Sequence, residues 1–128
     1  CPPSLGLLTV NAFVTGREVL IPIQCEYYAL EGLSQLLKTI SMIQSHLNQE
    51  LHLATILLTM YDGRTTLSKQ VAAEVRNFFG RTVFDTVIPR TVKISEAPSF
   101  GQPINEYDPT GKGAEAYCAL AREVSQRG

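Results

Sequence analysis

The chain has 128 residues, 45% hydrophobic and 18% charged, with a formal net charge of -1. That is the size and composition of one globular domain, or part of one, with enough apolar material to bury a core. General disorder is excluded, no apolar run reaches the length of a membrane span, and the N-terminus lacks the basic-then-apolar layout of a secretory signal, so a cytoplasmic location is expected.

Residues 1–6, CPPSLG, cannot form a regular helix or a central strand, because two prolines remove donors and fix the backbone. Residues 7–14 are apolar and read as a short helix stopping at Thr15-Gly16, where the glycine is expected to take a left-handed cap. Residues 17–23 form a near-continuous apolar run, the pattern of a strand buried on both faces.

The clearest helix follows. Leu30, Leu33, Leu36, Leu37, Ile40, Ile43 and Leu47 recur every three or four residues, with Glu31, Gln35, Lys38 and Gln44 opposite. Residues 53–58 are a second buried strand, left through an Asp62-Gly63 turn. Residues 65–79 form a second amphipathic helix with Val71, Val75, Phe78 and Phe79 inward and Lys69 and Arg76 on one outer face. Gly80 ends it, residues 82–88 read as a third strand, and residues 113–126 as a closing helix with Ala114, Tyr117, Leu120, Ala121 and Val124 inward.

Between the third strand and that helix, residues 87–115 carry four prolines and three glycines among polar and charged residues. A connection of this length inside a compact chain is more often a binding segment than a linker. Strands alternating with helices predict an α/β fold with a parallel sheet covered on both faces. In such sheets ligands sit beyond the carboxyl ends of the strands, which here means residues 24–29, 59–66 and 89–107. Three strands make a thin sheet, and its apolar faces imply more neighbours than 128 residues supply.

Cys1, Cys25 and Cys118 are odd in number and widely spaced, so they read as small, partly buried apolar residues rather than disulfide or zinc ligands. His46 and His52 lack the further donors a metal site needs, and no metal site is expected. Residues 64–93 hold six basic side chains (Arg64, Lys69, Arg76, Arg81, Arg90, Lys93) against two acidic ones (Glu74, Asp85). A basic middle in a near-neutral chain is either a solvated face or a footprint for phosphates.

Four blocks then stand out together: CPPSLG at 1–6, PIQCEYYALEGL at 22–33, LTMYDGRT at 58–65 and IPRTVKISEAPSFGQP at 88–103. In this order they resemble the C-terminal half of the ParA/Soj chromosome- and plasmid-partitioning ATPases, deviant Walker-motif P-loop proteins related to MinD. The resemblance runs over essentially the whole chain and implies the C-terminal part of a doubly wound, three-layer P-loop NTPase domain, residues 1–128 being a single partial domain.

The resemblance implies that Cys1, Pro2 and Pro3 follow the Walker B aspartate and sense the terminal phosphate of the nucleotide. It implies that Thr59, Met60, Asp62, Pro89 and Arg90 line the base side of an ATP site, with Pro89 and Arg90 flanking the adenine. Non-specific DNA binding on an ATP-dependent homodimer would draw on Arg64, Lys69, Arg76, Arg81 and Lys93, since phosphate contacts need only charge and reach. A centromere-binding ParB-type partner is also implied.

No GxxxxGK[ST] occurs in the 128 residues, and Gly111-Lys112-Gly113 lacks the preceding strand and spaced glycine of a phosphate loop. Because phosphoryl transfer depends on that loop, its lysine and magnesium, these residues alone are expected to have no catalytic group, to bind no nucleotide and to turn over no ATP, the parent supplying the ATP and Mg site. The alternative reading is a standalone, non-catalytic regulatory or interaction module derived from the family. A membrane-cycling role like that of MinD is disfavoured, because residues 114–127 lack a strongly basic amphipathic face.

Overall fold

The computed structural model describes residues 6–127. The elements run α1 (Leu7–Thr15), β1 (Glu18–Gln24), α2 (Ala29–His46), β2 (His52–Thr59), α3 (Thr66–Phe79), α4 (Val92–Glu96), α5 (Ile104–Tyr107) and α6 (Lys112–Arg127), with single 3-10 turns at Gly80–Thr82 and Ala97–Phe100. β1 and β2 are parallel, Glu18 facing His52 and Gln24 facing Thr59, with one irregularity between Val19 and Leu20.

Helices pack on both faces of the sheet, the second face being covered only over β2 and beyond. On one face Val19, Ile21, Ile23, Ile56 and Leu58 pack under Leu33, Ile40 and Ile43 of α2 and Val71 and Val75 of α3, with Val10 and Phe13 of α1 at the margin. On the other, Leu57 meets Phe84 and Ile88 beneath Ile94 of α4 and Ala116 and Leu120 of α6. No helix among the described residues is long and apolar enough to cross a membrane.

Local chemistry explains the boundaries. Thr65 Oγ1 accepts from Ser68 N at 3.2 Å and Thr91 Oγ1 from Ile94 N at 3.2 Å, each satisfying an orphan donor at the start of α3 and α4. Gly80, at φ 54, closes α3 in a conformation open to glycine. Gly16 does not do the same: at φ -75 and ψ 162 it is extended, so the expected left-handed cap is corrected. Asn48 does that work from a distance, its Nδ2 donating to the carbonyls of Phe13 (3.0 Å), Val14 (3.0 Å) and Gly16 (2.7 Å).

Several expected burials are also corrected. β1 alternates between exposed and buried rather than being buried on both faces, because the second face of the sheet is covered only over β2 and beyond. Phe78, expected inward, is 78% exposed at the far end of α3, where no element covers it. Tyr117, Ala121 and Val124, also expected inward, are exposed on α6, which meets the second cluster through Ala116 and Leu120. Cys25 is buried, whereas Cys118 is exposed. Residues 87–115, read as irregular, contain α4, α5 and a 3-10 turn.

The largest departure is the third strand. Residues 82–88 form no continuous ladder with β2: Ile56 and Val83 make an isolated parallel bridge, and a second one joins Tyr61 and Pro89 beyond the ends of both segments. Phe84 N donates to Ile56 O and Ile88 N to Leu58 O, both at 2.9 Å. Between them Asp85 N and Thr86 N turn away to the Glu123 carboxylate of α6, at 2.7 and 2.9 Å. A carboxylate has taken the place of the ladder, which is why no continuous strand forms.

Candidate functional site

The carboxyl ends of the strands meet at one edge. Cys25 N donates to Thr59 O at 3.0 Å and Thr59 Oγ1 to Ile23 O at 3.2 Å, joining the first exit loop to the second. Tyr61 N donates to Ile88 O at 3.1 Å and Arg90 N to Tyr61 O at 2.9 Å, joining the second to the third. Met60 lies between these two sets of bonds at φ 55, the only non-glycine residue with positive φ among the described residues. A bulky side chain in that region costs on the order of 1–3 kcal/mol and persists only where neighbours over-determine it; here they bond the backbone on both sides.

Asp62 is fixed in turn. Its N–H donates to Ser68 Oγ at 3.2 Å, and Ser68 Oγ donates to Cys25 O at 3.4 Å, so one buried hydroxyl ties α3 to two exit loops. The Asp62 carboxylate accepts from Arg64 N (3.0 Å), Arg64 Nε (3.1 Å) and Arg64 Nη2 (3.2 Å). The Arg64 side chain and N–H, with help from Arg90, hold its pKa below the usual carboxylate range against the opposing effect of desolvation. Across the edge, Arg90 Nη1 lies 3.9 Å from Glu26 Oε1, a partly exposed ion pair linking the third exit to the first.

Of the sequence-predicted residues, Thr59, Met60, Asp62, Pro89 and Arg90 therefore lie along one edge. Cys1, Pro2 and Pro3 lie outside the described residues. The five basic candidates for phosphate contact do not form one patch. Arg64 and Lys69 stand at the start of α3 and Lys93 at the start of α4, toward the strand exits. Arg76 and Arg81 lie toward the other end of α3, whose 14 residues span about 20 Å.

Two of these cations are already engaged: Arg64 grips Asp62, and Arg76 donates to Asp85 O at 3.3 Å. Lys93 Nζ lies 5.7 Å from the centre of the Tyr107 ring, which stacks on Phe100 and donates to Glu96 Oε2 at 2.8 Å. Glu26 and Ser68 were missed by sequence reasoning. The only signal for Glu26 was its place in the first exit segment, and Ser68 had none beyond its position early in a helix.

A family described as AAA domain matches residues 1–53. The sporulation initiation inhibitor protein Soj of Bacillus subtilis (strain 168) is 58% identical over 128 residues, covering all of this chain and 51% of that protein. The chromosome partitioning protein ParA of Myxococcus xanthus is 55% identical over 127 residues, covering 99% and 45%. The chain thus spans about half the length of the curated relatives it matches.

Among solved structures, cobyrinic acid a,c-diamide synthase from Mycobacterium smegmatis aligns over 91% of this chain and 41% of its own, with a TM-score of 0.69 and 38% identity. The same enzyme with bound ADP and magnesium aligns over 71% and 37%, at 0.63 and 44%. The fold is the parallel α/β fold of these P-loop NTPase neighbours, and the chain is, over essentially its whole length, a ParA/Soj-type sequence.

Proposed function

We propose that this chain forms the base-side wall of an ATP site and part of a DNA-facing surface in a chromosome-partitioning protein of ParA/Soj type. The observation that carries the reading is the convergence of Thr59, Met60, Asp62, Pro89 and Arg90 on the strand-exit edge, in a chain 58% identical to Soj. The neighbouring synthase is solved with bound ADP and magnesium, which supports a nucleotide as ligand, and ligands of parallel sheets sit beyond the strand ends. Pro89 offers an apolar surface and Arg90 a planar cation able to lie on a purine. Cys1, Pro2 and Pro3 would stand near the terminal phosphate of the nucleotide. The parent would dimerise with ATP, bind DNA without sequence preference, answer to a centromere-binding partner, and work in the cytoplasm on the nucleoid.

The nucleotide half is tested by Arg90→Ala in the full-length protein. ATP-analogue affinity should fall about tenfold, equivalent to about 1.4 kcal/mol. Arg90→Lys should not restore it, because an ammonium keeps the charge and loses the plane. An unchanged Kd in Arg90→Ala would overturn the assignment.

For the DNA half, Arg64→Glu combined with Lys93→Glu should weaken binding and shrink the slope of log K against log salt by about two, one unit for each phosphate no longer neutralised. Full retention on DNA would exclude this face.

A further inference from the structure

We infer that Glu123, on the last helix, is a positioning residue that sets the register of the third sheet segment against β2 and thereby fixes where Pro89 and Arg90 stand. The consequence for nucleotide binding rests on the proposed function; the register assignment itself does not.

In a regular parallel ladder, two residues along one strand match two along its neighbour. Here Phe84 N bonds Ile56 O and Ile88 N bonds Leu58 O, so four residues on the third segment span two on β2. Two residues are surplus and leave the sheet as an excursion. The N–H groups of Asp85 and Thr86 inside it find their acceptors in the two oxygens of Glu123.

Arg127, one helical turn later, orients that carboxylate at 3.0 Å. Its guanidinium also donates to the carbonyls of Arg81 and Val83 and lies 4.9 Å from the centre of the Phe84 ring. The other charged groups at the excursion are Asp85 itself and Arg76, which donates to Asp85 O. Burial opposes ionisation of Glu123, yet the N–H groups of Thr86 and Asp85, the Thr86 hydroxyl and Arg127 outweigh it and hold its pKa below the ordinary range.

Without the carboxylate, the competing arrangement is the regular one, with Thr86 N taking Leu58 O. Absorbing two residues into the ladder moves everything beyond by two residues, about 6.6 Å at strand rise. A two-residue slip preserves which side chains face which way, so hydrophobic alternation offers little protection against it. Burial of Ile88 resists the slip, and Glu123 removes the unsatisfied amides that would drive it. Arg90, which reaches Tyr61 O and Glu26 only in the observed register, is the residue displaced.

The test is Glu123→Gln in the full-length protein, in which one end of the side chain becomes a donor facing a donor. Amide hydrogen exchange at Asp85, Thr86 and Arg90 should accelerate by about tenfold or more while that at Leu57 and Leu58 stays constant. ATP-analogue affinity should fall about fivefold. In the unmodified protein the amide resonances of Asp85, Thr86 and Arg90 should shift together as Glu123 protonates, and this common titration should be absent from Glu123→Gln.

If Glu123→Gln does not fold, Arg127→Gln, which frees the carboxylate without removing it, should give the same exchange pattern in weaker form. Unchanged exchange at Arg90, or its resonance failing to titrate with the other two, overturns the register assignment. Faster exchange in Glu123→Gln, with affinity unchanged both there and in Arg90→Ala, supports the register assignment and overturns the nucleotide reading instead.

Discussion

Phe84→Ala should lower the unfolding free energy by about 3–5 kcal/mol, the usual range for truncating a buried aromatic. Phe84 is the largest of the fully buried side chains, at 1% exposure. It stands between Leu57 of β2 and the α6 side of the second cluster, and its outer face carries the Arg127 guanidinium. Removing the ring opens a cavity that backbone on one side and a helix on the other can only partly close, and it also takes the aromatic face away from Arg127. Urea unfolding measures the loss, with Phe100→Ala as reference: that ring is 65% exposed, and its removal should cost about 1 kcal/mol, chiefly the stacking on Tyr107. Equal effects from the two variants would mean that the second face of the sheet is not a cooperative part of the core.

Gly113→Val should destabilise the fold by about 2–3 kcal/mol and Gly113→Ala by about 1. A Cβ at Gly113 would lie 2.7 Å from Ile94 Cγ1, 2.9 Å from Ile94 Cδ1 and 3.3 Å from Ile104 Cγ1. Gly113 is the second residue of α6, so alanine gains there only part of the roughly 1 kcal/mol it gains in a helix interior. Overpacking costs more, because Ile94 is held on the short helix α4 and must move with it. Valine adds two methyl groups to the same gap and forfeits part of the propensity gain by β-branching. Denaturation of both variants gives the comparison; a stabilised Gly113→Ala would show that Ile94 turns aside freely and that α4 and α6 are loosely joined.

The helices were legible because their signal is local. The spacing from Leu30 to Ile43 and the Thr65 and Gly80 boundaries of α3 are properties of consecutive residues. What was not legible depends on partners far along the chain. Glu123 reaches Asp85 and Thr86 across 38 and 37 positions, and an apolar run such as 82–88 looks the same whether its amides meet a strand or a carboxylate. Asn48 caps α1 across more than 30 positions, and no residue near Gly16 in the sequence marks it. The apolar run of β1 likewise carries no mark of which face goes uncovered.

The site divided along the same line. That ligand-facing residues would gather beyond the strand ends follows from a general property of parallel sheets, and Thr59 to Asp62 with Pro89 and Arg90 are found there. The left-handed Met60, the Ser68 bridge and the Glu26–Arg90 pair arise from packing between exit loops, which no single segment encodes.

Among the described residues β1 has a strand on one side only, and Pro22 gives its other side a property of its own. Since Cys25 N points toward β2, the amides of residues 19, 21 and 23 point inward with it, and the even-numbered positions of β1 face outward. Pro22 occupies the middle of that outward row and has no hydrogen to offer. A neighbouring strand laid along this side finds a donor missing at its midpoint and must leave one carbonyl to water or to a side chain. This side of β1 therefore discriminates among neighbouring strands by where they can tolerate the gap.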